Sequence, residues 1–144
     1  MTSTASNVSV AAPVEVVWDV LADFADISSW AGPVSQSSLL TEAAPGLGAV
    51  RRVQIGRAAL RETVVRWEPG RALSYDIAGL PAVVTAARNT WTLEPSGSDT
   101  LLTLTCDLET RGGPLVARIV ARQVGKANEQ LVQSLVAHLR STHP

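Results

Sequence analysis

The side chains that could do chemistry in this sequence are few, and the most informative are charges set among apolar residues. Arg51 and Glu62 flank Gly56-Arg57, in segments where apolar and polar residues alternate. If Gly56-Arg57 is a two-residue turn, Ile55 faces Ala58, Val53 faces Leu60 and Arg51 faces Glu62. These pairs share the apolar face, and Arg52 and Arg61 then oppose each other on the wet one. A one-residue slip would turn every one of them over, so the pattern itself pins the register. Burying two charges costs several kcal/mol per ion, which pairing offsets only in part. Either the two neutralise each other at the sheet's edge, or they form a polar anchor for a ligand hydroxyl, carbonyl or carboxylate.

Tyr75 is expected to point inward with Leu73 and Ile77, as an amphipathic wall residue, a hydrogen-bond donor to a ligand, or an acid. Folding back around Ser96-Gly97-Ser98 pairs Leu93 with Leu102, Trp91 with Leu104 and Asn89 with Cys106, again on an apolar face. An amide there must be satisfied by protein, water or ligand. Cys106 is the single cysteine, so no intramolecular disulfide can form. No motif sets a histidine beside it, so it reads as a buried, inert thiol. The two histidines, His138 and His143, lie at the C-terminal end without ligand spacing, so neither a metal nor another cofactor is expected. No nucleophile elbow, phosphate loop or Ser-His-Asp arrangement occurs. Trp18 and Trp30 read as core, Trp91 as a pocket residue, and Trp67 as a strand-end residue that a bulge could turn either way.

These residues need elements to position them. Asn7 to Val10 alternates as a short strand, and residues 1–6 are expected to be a flexible end, as are 142–144. Pro13 suits a first helical turn, and Val14, Val17, Trp18, Leu21 and Phe24 make one apolar stripe. A second short helical turn covers Asp26 to Trp30. Strands are expected at Val34–Thr41, Ala49–Ile55, Ala58–Trp67, Ala72–Ala78, Val83–Glu94 and Thr100–Thr110, separated by glycine, proline and serine turns. A helix of about 42 Å follows from Pro114 to about Ser141, with Val116, Val120, Val124, Ala127, Leu131, Leu135 and Leu139 as its stripe.

A chain of 144 residues with 46% hydrophobic and 17% charged residues can bury one core, and no linker or repeat divides it, so one domain over residues 7–141 is expected. The net charge of -1 and 4% aromatics argue against a nucleic-acid surface. No signal peptide or membrane-spanning stretch is visible, and a cytoplasmic location is the default expectation. Long strands with one apolar face need a cover, and only the last helix is long enough to supply it. Small inner residues such as Ala87 and Val83 need not fill the hollow of a curved sheet.

The order strand, two helices, six strands, long helix resembles the START-like, helix-grip (SRPBCC) superfamily, and within it the polyketide cyclase/dehydrase and lipid transport family. The residues that carry this are Val8-Ser9-Val10-Ala11-Ala12-Pro13-Val14-Glu15-Val16-Val17-Trp18-Asp19-Val20-Leu21-Ala22-Asp23, then Trp30, Gly48-Ala49-Val50-Arg51, Arg61-Glu62-Thr63-Val64, Arg71-Ala72-Leu73-Ser74-Tyr75 and Trp91-Thr92-Leu93-Glu94-Pro95. The resemblance implies an α+β fold, a curved seven-stranded antiparallel sheet wrapped around the C-terminal helix with a cavity between them. Its mouth would lie near Gly56, Gly79-Leu80-Pro81 and Gly112-Gly113-Pro114.

Three functions remain open. The first is binding of a small hydrophobic molecule such as a lipid or polyketide. Its expected contacts are Arg51, Val53, Leu60, Glu62, Val64, Tyr75, Ile77, Asn89, Trp91, Leu104, Cys106 and Ile119. The second is a polyketide cyclase/dehydratase-like enzyme without metal or cofactor, with Glu62, Tyr75 and Arg51 as candidate catalytic groups. The third is docking to a lipid surface or a protein through Arg118, Arg122 and Lys126, which recur every four residues as a basic ridge. Val65, Val84 and Leu101 form an outer apolar patch compatible with a monomer or a weak homodimer.

Overall fold

The computed structural model describes residues 2–42 and 45–142; His143 lies outside them. In chain order it contains β1 (Thr2–Val10), α1 (Val14–Ala22), a 3-10 helix (Phe24–Ser29), β2 (Gln36–Leu39), β3 (Val50–Ile55), β4 (Ala58–Glu68), β5 (Ala72–Ala78), β6 (Val84–Ser96), β7 (Asp99–Thr110) and α2 (Gly113–Thr142). The strands form one seven-stranded antiparallel sheet in the order β1-β7-β6-β5-β4-β3-β2. Every neighbour is a hairpin partner except β1, which crosses to pair with the last strand.

Both hairpin registers follow the alternation of the sequence. Arg51 pairs with Glu62 and Val53 with Leu60 across Gly56-Arg57, where Gly56 takes the positive φ of +58° that such a turn requires. Asn89 pairs with Cys106 and Trp91 with Leu104 across the next long hairpin. A bulge between Val64 and Arg66 shifts the parity of β4 and brings Trp67 edge-on against Trp18, with centroids 5.2 Å apart. A second bulge between Val84 and Ala86 reverses the expected roles of two valines. Val83 is exposed, and Val84 packs against the inner cluster of Ala87, Cys106 and Leu108.

The N-terminal end departs from expectation. Thr2 to Ser6 are not a flexible end but the first half of β1, paired residue by residue with β7 from Thr2–Leu108 to Ser6–Leu104. Apart from Ala5 their side chains are polar on both faces, so no hydrophobic alternation betrays the strand. The ladder and the α2 backbone hold it; a Cβ built on Gly125 would stand 3.9 Å from the Thr4 methyl. At the other end, Thr142 closes α2.

Helix α2 lies chiefly against β1 and β7, and its burial is uneven. Val132, Leu135 and Leu139 are buried, together with Val17, Trp18, Leu21, Phe24, Trp91 and Leu104, in one core. Toward the N-terminus, Val116, Val120 and Val124 are only half-buried and Ala127 is exposed; Asn128 takes the inward place expected of Ala127. Burial of the helix is thus deepest along its C-terminal half, while its first half is packed less completely, with Gly125 close to Thr4 and with Val120, Ala121 and Val124 against the Ala87, Cys106 and Leu108 cluster.

Candidate functional site

A cavity of about 280 Å³ lies between the sheet and the middle of α2. Its sheet side is Val53, Ile55, Leu60, Glu62, Tyr75, Ile77, Ala87, Asn89, Cys106 and Leu108. Ile27, Val34, Leu80, Val124, Asn128 and Leu131 close it from the other elements. Pro33, Ile55, Ala127 and Gln130 are the exposed lining residues and mark the opening. The wall thus reaches the Gly56 and Gly79-Leu80 loops, whereas Gly112-Gly113-Pro114 contributes nothing to it.

Seven of the expected contacts line this space: Val53, Leu60, Glu62, Tyr75, Ile77, Asn89 and Cys106. The other five do not. Val64, Trp91 and Leu104 belong to the filled core, and the edge of Trp30 covers Trp91 at 6.1 Å between centroids. Ile119 is half exposed, because five residues from Val124 the helical period carries it to the outer face. Arg51 is 2% exposed and sits behind Glu62 rather than in the wall.

The division has a simple geometry. Arg51, Glu62, Tyr75, Asn89 and Cys106 form a band across neighbouring strands, since Arg51 pairs with Glu62, Tyr75 with Asn89 and Asn89 with Cys106. On one side of the band Leu73, Trp91 and Leu104 are core. On the other, Val53, Leu60, Ile77, Ala87 and Leu108 face the cavity. Polar side chains occupy the boundary because a filled apolar core offers them no partner.

Within the band, Arg51 gives both Nε and Nη2 to a single oxygen of Glu62, Oε1, at 2.7 Å each, and Nη1 to the Phe24 carbonyl at 3.0 Å. Its guanidinium lies 3.8 Å from the Phe24 ring centroid and 4.7 Å from that of Tyr75, so ring faces take up the charge where water cannot. Glu62 Oε2 has no hydrogen-bond partner among the described residues, yet no fully buried oxygen or nitrogen is left unsatisfied. Oε2 is thus the carboxylate's remaining acceptor, in a residue that lines the cavity.

The Tyr75 hydroxyl accepts Trp91 Nε1 at 3.2 Å and, at a long 3.5 Å, Asn89 Nδ2. Asn89 Oδ1 in turn accepts Asn128 Nδ2 at 3.2 Å. The Tyr75 hydroxyl proton has no acceptor among the described residues. Burial first, and the Glu62 carboxylate second, hold the Tyr75 hydroxyl above the ordinary phenol range, so it stays protonated at neutral pH. Sequence reasoning missed Asn128, although an amide four residues from both Val124 and Val132 on the helix stripe was a usable signal.

Burial, with Asp107 adding to it, pushes the Cys106 thiol up to about 11. A thiol-reactive aromatic disulfide should therefore label native protein at neutral pH far more slowly than urea-unfolded protein; equal rates would show an open site. The linkage has a definite sign. The folded value lies above the ordinary 9.0, so this contribution is complete below pH 9 and lost as pH rises toward about 11. Among the described residues no group of three His, Cys, Asp or Glu side chains could hold a metal ion.

A seven-stranded antiparallel sheet, a long C-terminal helix packed across it and a largely apolar cavity between the two define a helix-grip protein of the START-like class. The sequence matches the family described as polyketide cyclase / dehydrase and lipid transport over residues 1–140, and the chain belongs to that family. Among solved structures, XoxI from Bacillus cereus is similar with a TM-score of 0.83 at 16% identity, covering 100% of this chain and 99% of its own. A START superfamily protein from Mycobacterium smegmatis gives 0.81 at 18% identity, covering 97% and 98%. The Zhui aromatase/cyclase from a Streptomyces species gives 0.68 at 23% identity, covering 92% and 93%. Among curated proteins, none matches the sequence significantly.

Proposed function

We propose that the cavity binds an uncharged, ring-containing hydrophobic molecule bearing a hydroxyl group. The observation that carries this is an acceptor, Glu62 Oε2, and a donor, the Tyr75 proton, both without a partner among the described residues and both in the lining of one largely apolar space. A hydroxyl both gives and accepts a hydrogen bond, and so meets both. The volume of 280 Å³ is near the low end of ligand pockets and about twice the ~150 Å³ that admits a benzene ring. Two rings suit it better than a long acyl chain.

Fluorescence titration with 1-naphthol, naphthalene and 1-naphthoate tests this, alongside native mass spectrometry for a co-purifying compound. A hydrogen bond to a charged group should make naphthol bind about ten-fold tighter than naphthalene. Naphthoate should bind worst, because its charge would meet Glu62. Preference for naphthoate, or equal binding of all three, overturns the reading.

A second reading is catalysis of the kind named for the Zhui aromatase/cyclase. Its support is that the Glu62 carboxylate and the Tyr75 phenol, which burial keeps protonated, both line one largely apolar cavity. Turnover of a cyclising polyketide that disappears in Tyr75→Phe, while naphthol binding persists, would favour it.

A further inference from the structure

We propose that the outward face of the first half of α2 docks this protein onto an anionic lipid surface, independently of what the cavity holds. From Gly113 to Asn128 the helix contains Arg118, Arg122 and Lys126 and no acidic residue, although the whole chain has a net charge of -1. None of the three cations has a carboxylate within ion-pair distance among the described residues. The charge is thus concentrated and free to meet a partner.

The same face carries Leu115 and Ile119, 69% and 51% exposed. At 3.6 residues per turn, residues 115, 118, 119, 122 and 126 fall in one arc of about 100°, outside the part of the helix that carries the buried Asn128, Val132, Leu135 and Leu139. Nothing in the fold explains two aliphatic side chains interleaved with three cations on the solvent side. A bilayer surface fits both: branched side chains enter between headgroups while arginine and lysine stems lie at phosphate level. No acid stands in the first turn, so the positive helix end adds to the attraction. An acidic protein would engage the charges but give Leu115 and Ile119 no role.

Co-sedimentation of the full chain with phosphatidylcholine vesicles, with and without phosphatidylglycerol, tests the proposal without any cavity ligand. Binding should appear only with phosphatidylglycerol and fall with added salt. Each cation near an anionic surface is worth about five-fold in affinity, so Arg118→Ser/Arg122→Ser should bind about twenty-five-fold more weakly. Leu115→Ser/Ile119→Ser should also weaken vesicle binding while leaving binding to soluble polyglutamate unchanged. Both pairs are exposed, and unchanged circular dichroism and naphthol affinity would show the fold and cavity intact. Pelleting indifferent to phosphatidylglycerol, or undiminished in the arginine variant, overturns the proposal. So does polyglutamate binding as tight as vesicle binding, which would assign the face to an acidic protein.

Discussion

Glu62→Ala should destabilise the protein by roughly 3–5 kcal/mol, because it strands Arg51 in a site that is 2% exposed. The guanidinium would keep the Phe24 carbonyl and two ring faces but lose the charge that receives two of its nitrogens. Urea unfolding would report the loss, and a change below about 1 kcal/mol would mean that Arg51 finds water in the cavity. The double variant Arg51→Met/Glu62→Leu should recover most of the stability, since a buried pair replaced as a whole by apolar groups is often neutral or better. The same single change should reverse ligand preference. With the carboxylate gone and the cation uncovered, naphthoate should overtake naphthol. Lost stability without that reversal would confine the pair to holding β3 and β4 together.

Ala87→Phe should abolish naphthol binding while costing little stability. Ala87 lies on the cavity side of the polar band, beside Leu108 across the β6–β7 ladder, so an added ring enters empty space rather than packed core. Overpacking a filled core costs ~1–3 kcal/mol, and a smaller cost here would itself be evidence of the void. Retained naphthol affinity with an unchanged melting temperature would place the ligand elsewhere. The comparison with Tyr75→Phe separates shape from polarity. Removing the hydroxyl should reduce naphthol affinity several-fold and leave naphthalene binding nearly unchanged, since a single hydrogen bond contributes ~0.5–1.5 kcal/mol.

Legibility in the sequence stops at a definite place. Alternation along β3, β4, β6 and β7 and their two tight turns give the registers that pair Arg51 with Glu62 and Asn89 with Cys106. Such registers are local: a period of two and a short turn leave no second arrangement that buries the same side chains. Inward-facing charge and amide were legible for the same reason, as was the helix stripe ending in Leu135 and Leu139. What the sequence could not decide is which inward residues meet a ligand and which meet each other. Val64, Trp91 and Leu104 share the inner face with Leu60, Asn89 and Cys106 and differ in lying in the filled core with α1, the 3-10 helix, Trp30 and the last turns of α2, away from the cavity. That distinction depends on which side chains of α1, the 3-10 helix and α2 come to fill the inner face, which is settled only when Val132, Leu135 and Leu139 join those elements in one core. The strand at Thr2 to Ser6 escaped for a related reason: its place is held by a ladder to β7, a chain length away, and not by any pattern of its own.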